Sequence, residues 1–196
     1  MARRITISKE VILQAALNML IRDGYSSINI KTLAKEIGCS TQPIAWHFEN
    51  MEGLRSALAD YTLAYAAGQV VLDGTNELAA FESMGRSYVR MAVREPNLFR
   101  FLYLGENTKG MVTSFKDIGT GAQGQERIGR IAAYFGITAE SVKRYWQNTV
   151  IYSHGVATLV ATGVIKATEE EMMDMINRAA DGFLMQEGVP ADKIPQ

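Results

Sequence analysis

Few residues in this 196-residue chain could make or break bonds. There are two histidines, His47 and His154, and one cysteine, Cys39. No H-x-x-x-H pair, Gly-rich phosphate loop or G-x-S-x-G turn accompanies them, so nothing in the sequence supports catalysis. A single cysteine excludes an intramolecular disulfide and a cysteine-rich metal site, and it fits a reducing compartment. No metal and no cofactor are expected. Groups suited to another chemistry, hydrogen bonding to base edges and phosphates, crowd into "GCSTQPIAWHF". They are Ser40, Thr41, Gln42, Trp46 and His47, with Pro43 among them. Groups so close in sequence can act together only if the backbone holds them at one place.

The surrounding stretch, "LAKEIGCSTQPIAWHFENMEGL", supplies that backbone. It reads as two short helices joined by a tight turn, the layout of a helix-turn-helix over residues 29–48. A steep crossing needs a small residue where the helices touch, which is Ala34. The turn needs positive φ, which falls at Gly38. A buried aliphatic on the second helix must lock against the first, and Ile44 has that place. Ser40 is expected to satisfy the free amides at the start of the second helix. Cys39 reads as a small turn residue packed inward. Upstream, Ile12, Ala15, Ala16, Met19 and Leu20 form one helical stripe between a Ser8 cap and a Gly24 stop, the third wall of a small core.

The rest of the chain is helical in pattern as well. A fourth helix begins near Met51 and runs through Leu54, Leu58, Tyr61 and Tyr65. "LAAFESMGRSYVRMAVRE" is a helix stopped before Pro96, and "NLFRFLYLG" a short aromatic one. Residues 105–125, rich in glycine, read as a loop in which "MVTSFKDI" is partly helical. Two long helices close the chain, over residues 140–163 and 168–186, the second opened by a Thr168–Glu171 capping box. No alternating strand pattern and no internal repeat stands out. The fold class is all-α: an N-terminal three-helix domain with the helix-turn-helix over residues 1–50 and a larger helical domain over 51–190.

Composition agrees with an ordinary soluble domain of this size, 47% hydrophobic and 21% charged. The net charge is −1, but residues 1–50 hold six Lys and Arg against four Asp and Glu. A polyanionic partner is therefore expected at the N-terminal end. The apolar run after Arg3 and Arg4 is interrupted on one helical face by Glu10, Gln14 and Asn18, so it is not a signal-peptide core. No apolar run is long enough to span a bilayer, and no membrane partner is expected. The chain reads as cytoplasmic.

The first ~60 residues, sized as a small module on a larger scaffold, resemble the DNA-binding domain of the TetR/AcrR family of bacterial transcriptional regulators. The residues that carry the likeness are Ala15, Ala16, Gly24 and Tyr25, then Leu33, Ala34, Gly38 and Ser40, then His47, Phe48 and Leu54. Two positions depart from the family pattern. Ala45 and Met51 stand where a tyrosine and a lysine usually touch the DNA backbone.

The resemblance implies that the helix Thr41–His47 enters the major groove of a double-stranded operator, its N-terminal residues at base edges. Gln42 would pair with adenine, and Thr41 and Pro43 would touch a thymine methyl or a phosphate. Ser40, Trp46 and His47 complete the contact set. Lys31, with nearby helix amides, would face a phosphate, and Arg3 and Arg4 would form an arm. It further implies a repressor that binds a near-palindromic operator as a homodimer and is released by a small amphipathic or aromatic effector. The effector pocket is expected among Tyr65, Tyr88, Met91, Phe99, Tyr103, Phe115, Trp146, Tyr152 and His154. The dimer face is expected at Ala157, Val160, Ala161, Met172, Ile176, Ala179 and Phe183. The competing reading is a ligand-binding or interaction module whose DNA binding is weakened or lost.

Overall fold

The structure, a computed structural model, describes residues 7–70, 77–105 and 124–194. Among these residues it has nine α-helices and no strand. The expected loop at 105–125, with its partly helical "MVTSFKDI", lies almost wholly outside the described residues, as do Arg3, Arg4 and Phe115. No described helix is long and apolar enough to cross a membrane. No described group of three or more His, Cys, Asp or Glu could hold a metal ion.

The chain divides into two compact units, Met1–Gln69 with Glu95–Lys109, and Val70–Arg94 with Gly110–Gln196. The first contains α1 (Lys9–Asp23), α2 (Ile30–Ile37), α3 (Gln42–Phe48), α4 (Met51–Gly68) and α6 (Pro96–Tyr103). Helix α1 packs against α2, α3, α4 and α6. Its apolar surface is therefore wider than one stripe: Leu13 and Leu17 are buried together with Ile12, Ala16, Met19 and Leu20. Each large aliphatic side chain so buried stabilises the fold by about 1.5–3 kcal/mol. Helix α6 adds Leu98, Phe99 and Phe101, none with accessible surface. Asn97 fixes its position by donating from Nδ2 to the carbonyls of Ile21 and Arg22, at 3.0 and 3.3 Å. Those are among the last carbonyls of α1, which the helix cannot bond itself.

The helix ends follow local chemistry. The Ser8 hydroxyl accepts from the Val11 amide. Asn29 and Thr32 make a reciprocal capping box at the start of α2. Gly38, at φ 76° and ψ 34°, closes α2 in the left-handed region. Its own amide bonds to the Lys35 carbonyl and the next amide, of Cys39, to that of Ala34, the two bonds of a Schellman closure.

The corner between α3 and α4 is tighter. Glu49 sits at φ 61° and ψ −51°, and the Asn50 amide donates to the Phe48 carbonyl at 2.6 Å. That is a γ-turn of the rarer, strained hand. Asn50 then caps α4 by accepting from the Gly53 amide at 2.9 Å.

The second unit contains α5 (Glu77–Arg94), α7 (Gly124–Phe135), α8 (Ala139–Ala161) and α9 (Glu169–Gln186). Ile128, Ile131 and Phe135 of α7 meet Val142, Tyr145 and Trp146 of α8 and Leu184 of α9 in one buried cluster. Phe81 of α5 lies against Trp146, ring centroids 4.6 Å apart. Thr168 and Glu171 form the expected capping box of α9. Two ion-pair groups tie the long helices: Arg94 and Arg90 of α5 both reach Glu169, and Arg144 of α8 grips Glu187 beyond the end of α9.

Candidate nucleic-acid interface

Helix α3 turns two side chains inward, Ile44 and Phe48, at 1% and 5% exposure. They pin it to α1 and α4 and leave the other face in water. That face carries Thr41, Gln42, Ala45 and Trp46, all exposed, with Pro43 half-buried. Ser40 and Lys31 are exposed nearby. Trp46 is 74% exposed, so it does not pack on α1 or α4. The exposed face of α3 carries no lysine or arginine.

Three local expectations are corrected. First, Ser40 does not cap α3. The helix begins at Gln42, Thr41 takes the capping place, and no side chain bonds the first amides. Pro43 explains this: a cap at Ser40 would have Pro43 as its third-residue donor, and proline has no N–H. Pro43 is thus second in its helix. Second, the Lys31 and Thr32 amides at the start of α2 are not open to a phosphate. The Asn29 carboxamide accepts from those of Lys31 and Thr32, both at 3.0 Å, so these two amides are engaged within the protein. Third, Cys39 is half-buried rather than packed inward, and its thiol is free.

His47 is half-buried, and its Nε2 lies 2.9 Å from the Ile7 carbonyl oxygen. A carbonyl only accepts, so Nε2 carries the proton and is engaged within the protein. Lys9, two residues further on, places its ammonium 5.6 Å from the centre of the Phe48 ring. Nothing in the composition of the stretch pointed to either contact, because each joins residues about forty positions apart.

The residues expected to line an effector pocket divide between the units. Tyr65, Phe99 and Tyr103 lie in the first; Tyr88, Met91, Trp146, Tyr152 and His154 lie in the second. In the first, the Tyr65 hydroxyl donates to Glu95 at 2.8 Å, and burial and that carboxylate raise its pKa. Phe99 stacks obliquely on Tyr103 and has no accessible surface, so it is core. Tyr103 is largely buried, which raises its pKa. In the second, Met91 and Trp146 are buried core residues. Tyr152 meets Phe183 edge-on. The Tyr88 hydroxyl and His154 Nδ1 are 2.6 Å apart, across α5 and α8. Burial lowers the His154 pKa, favouring the neutral ring.

Four of the residues expected on a dimer face, Ala157, Ala161, Met172 and Ile176, are buried in the single chain at 0–5% exposure. They hold α8 and α9 to their own neighbours and have little surface left for a second copy. Val160, Ala179 and Phe183 are partly buried. The apolar surface that α8 and α9 do expose lies elsewhere: Ile151 and Leu159 on α8, Met175 and Met185 on α9. Gly155 and Gly182 lie along the same faces, and a side chain at either would meet nothing.

A three-helix head with a left-handed glycine turn and a reading helix exposed beyond it is a helix-turn-helix DNA-binding domain. Residues 12–58 match the family model described as bacterial regulatory proteins, tetR family. The whole fold has solved counterparts. TetR from Acinetobacter baumannii AYE superposes with a TM-score of 0.66 at 17% identity, covering 92% of this chain and 98% of that one. A substituted form of the same TetR, in complex with minocycline, gives 0.60 at 17% identity, covering 93% and 99%. The curated proteins contain no match to this sequence.

Proposed function

We propose that the protein is a TetR-like transcriptional repressor that binds a near-palindromic operator as a homodimer and is released by a small amphipathic or aromatic effector. The observation that carries this reading is the rigid presentation of Thr41, Gln42 and Trp46 on α3. Their helix is locked by buried Ile44 and Phe48 behind the Gly38 turn. In this reading residues 1–50 read DNA and residues 51–190 sense the effector and dimerise. Gln42 addresses a base edge, and Lys31, Arg3 and Arg4 supply positive charge to the phosphates.

Two copies would set their reading helices ~34–36 Å apart, one turn of DNA, or a multiple of it. The second copy is best received by the exposed faces of α8 and α9. Ile151, Gly155 and Leu159 recur every four residues, and Met175, Gly182 and Met185 share a face of α9, so small residues let partner helices approach closely. A structural relative solved in complex with minocycline supports a ligand-binding role, which this reading assigns to the second unit. There the Tyr88–His154 pair offers a polar point in apolar surroundings. An effector releases DNA only through its differential affinity for the two states of the dimer. Helix α4 is the proposed lever, since it packs on α3 and ends where the chain enters the second unit.

The absence of a cation on the exposed face of α3 favours a second reading, a ligand-binding module with weak DNA grip. Duplex binding measured against salt decides between them. A reader loses affinity steeply as salt rises, because neutralised phosphates release counterions. A flat response, with ligand binding intact, would leave the second reading standing.

A further inference from the structure

We propose that Arg55 is a phosphate-binding residue of the reading head, gripping the DNA backbone beside the groove that receives α3. The inference rests on the DNA-binding reading above. Arg55 lies one turn into α4 and is half-buried. Its guanidinium carbon stands 5.2 Å from the centre of the Tyr25 ring, in the turn that joins α1 to α2. Phe101 of α6 holds that ring in turn, centroids 5.0 Å apart. The charge is therefore fixed on an aromatic platform, yet among the described residues no carboxylate pairs with it. Its Nε–H is buried without an acceptor. Glu52, three residues back, is exposed and makes no ion pair with it. Arginines elsewhere in the chain are tied down by carboxylates, Arg22 by Glu36 and Arg144 by Glu187. Arg55 has the reverse arrangement, a fixed cation with no counter-charge.

A half-buried cation beside an unsatisfied donor costs the free protein stability, part of which an anion at the guanidinium recovers. Stacking occupies the flat face of the group and leaves edge N–H donors for an in-plane acceptor. Phosphate oxygens fit that edge two at a time. The position suits a backbone phosphate. Helix α3 packs on α2 and α4. A helix with its side chains is about 10–12 Å across, and a major groove is about 12 Å wide. A groove filled by α3 therefore sets the elements beside it over the flanking backbones. Long side chains on a helix slant toward its N-terminus, so Arg55 covers the first turn of α4, next to the corner that ends α3. The charges of Arg55 and Glu52 both act on the Tyr25 hydroxyl, which sets the platform beside that same turn. Helix α3 exposes no cation of its own, and a fixed guanidinium at its flank supplies the charge it lacks.

The test is a methylphosphonate scan with the full chain. The wild-type protein first selects a duplex from a random pool. Single backbone phosphates of that duplex are then replaced by neutral methylphosphonates, and affinity is measured for the wild type, Arg55→Lys and Arg55→Met. At one phosphate in each half-site the replacement should weaken the wild type about five-fold and Arg55→Met hardly at all. On the unmodified duplex Arg55→Met should lower the salt slope by about two for a two-fold dimer. Arg55→Lys should keep the slope and lose part of the affinity, since an ammonium lacks the planar fork. Equal sensitivity of the wild type and Arg55→Met at every phosphate, with the slope unchanged, would overturn the proposal and leave Arg55 a brace for Tyr25. Inorganic phosphate that raises the melting temperature of the wild type and not of Arg55→Met, with both equally sensitive in the scan, would overturn the DNA contact and assign the site to a free anion. Should Arg55→Met fail to fold, Arg55→Gln, which keeps donors without the charge, carries the same comparison. A wild-type protein that selects no duplex and shows no salt-dependent binding would overturn the DNA-binding reading as well. Unchanged sensitivity in a protein that does bind overturns only the role of Arg55.

Discussion

Gly53 stands where a side chain would overlap the carbonyl oxygen of Phe48. That oxygen is backbone and already accepts from the Asn50 amide, so it cannot swing aside. The corner between reading helix and α4 is therefore closed by an absent methyl group. Gly53→Ala should lower the stability of the first unit by about 2 kcal/mol, read as a lower urea midpoint. It should also weaken DNA binding beyond that loss, because α3 would shift. An unchanged midpoint would show that the corner yields easily.

The same corner holds Glu49 at φ 61° and ψ −51°, a region costly for any residue with a Cβ. Glu49→Gly should stabilise the protein by about 0.5–1 kcal/mol, the relief of strain exceeding the added freedom of the unfolded chain. Thermal unfolding measures this. A drop in melting temperature would show that the Glu49 side chain contributes more than its backbone costs.

Asn29 accepts from two amides of α2 and the box is completed by Thr32 Oγ1 accepting from the Asn29 amide at 2.9 Å. Asn29→Ala should cost about 1 kcal/mol. Hydrogen exchange would localise the effect, with the Lys31 and Thr32 amides losing protection first.

Burial lowers the pKa of His154 below its ordinary 6.5. The unfolded chain thus takes up the proton first as pH falls, and the folded state loses stability below about 6.5 while keeping it in full above. The carboxylates with lowered pKa values are Glu36, paired with Arg22, Glu187, paired with Arg144, and Glu10 and Glu171, held by helix-start hydrogen bonds. Their contribution is lost only below the ordinary 4.5. Melting temperature should therefore fall between about pH 7 and 5 in the wild type, and less so in His154→Asn, which keeps an acceptor near the Tyr88 hydroxyl. Parallel curves for the two proteins would remove His154 as the cause.

If α8 and α9 receive a second copy through their exposed faces, Leu159→Glu with Met175→Glu should turn a dimer into a monomer in sedimentation. The fold should be undisturbed, since both side chains are about two-fifths exposed. Ala157→Glu, by contrast, should unfold the chain, because that residue is fully buried. A dimer that survives the double substitution would place the interface elsewhere.

The reading head was legible where function and local chemistry coincide. Gly38, Asn29, Ile44 and the capping box at Thr168 each declare themselves by type and spacing. Helix α7 was passed over, although Ile128, Ile131 and Phe135 already stand at helical intervals. Ser40 misled because a capping residue type is visible and the missing amide of Pro43 is easily overlooked. Four of the residues expected on a dimer face are buried within the single chain for a more general reason. On a helix apolar on two faces, such as α8, periodicity cannot tell which face meets its own chain. The contacts of His47 with Ile7 and of Asn97 with α1 were hidden altogether, being polar, long in sequence separation and dependent on the packed fold.

Helix α6 follows α5 after the single residue Glu95, yet packs with α1 and α4. The chain thus leaves the first unit after residue 69, returns at 95 and leaves again after 109. A reading head excised at residue 69, or grafted onto another sensor there, would lack the helix that brings Leu98, Phe99 and Phe101 to its core. The exchangeable cassette is discontinuous, and specificity could be transplanted only by moving residues 95–109 with the helix-turn-helix.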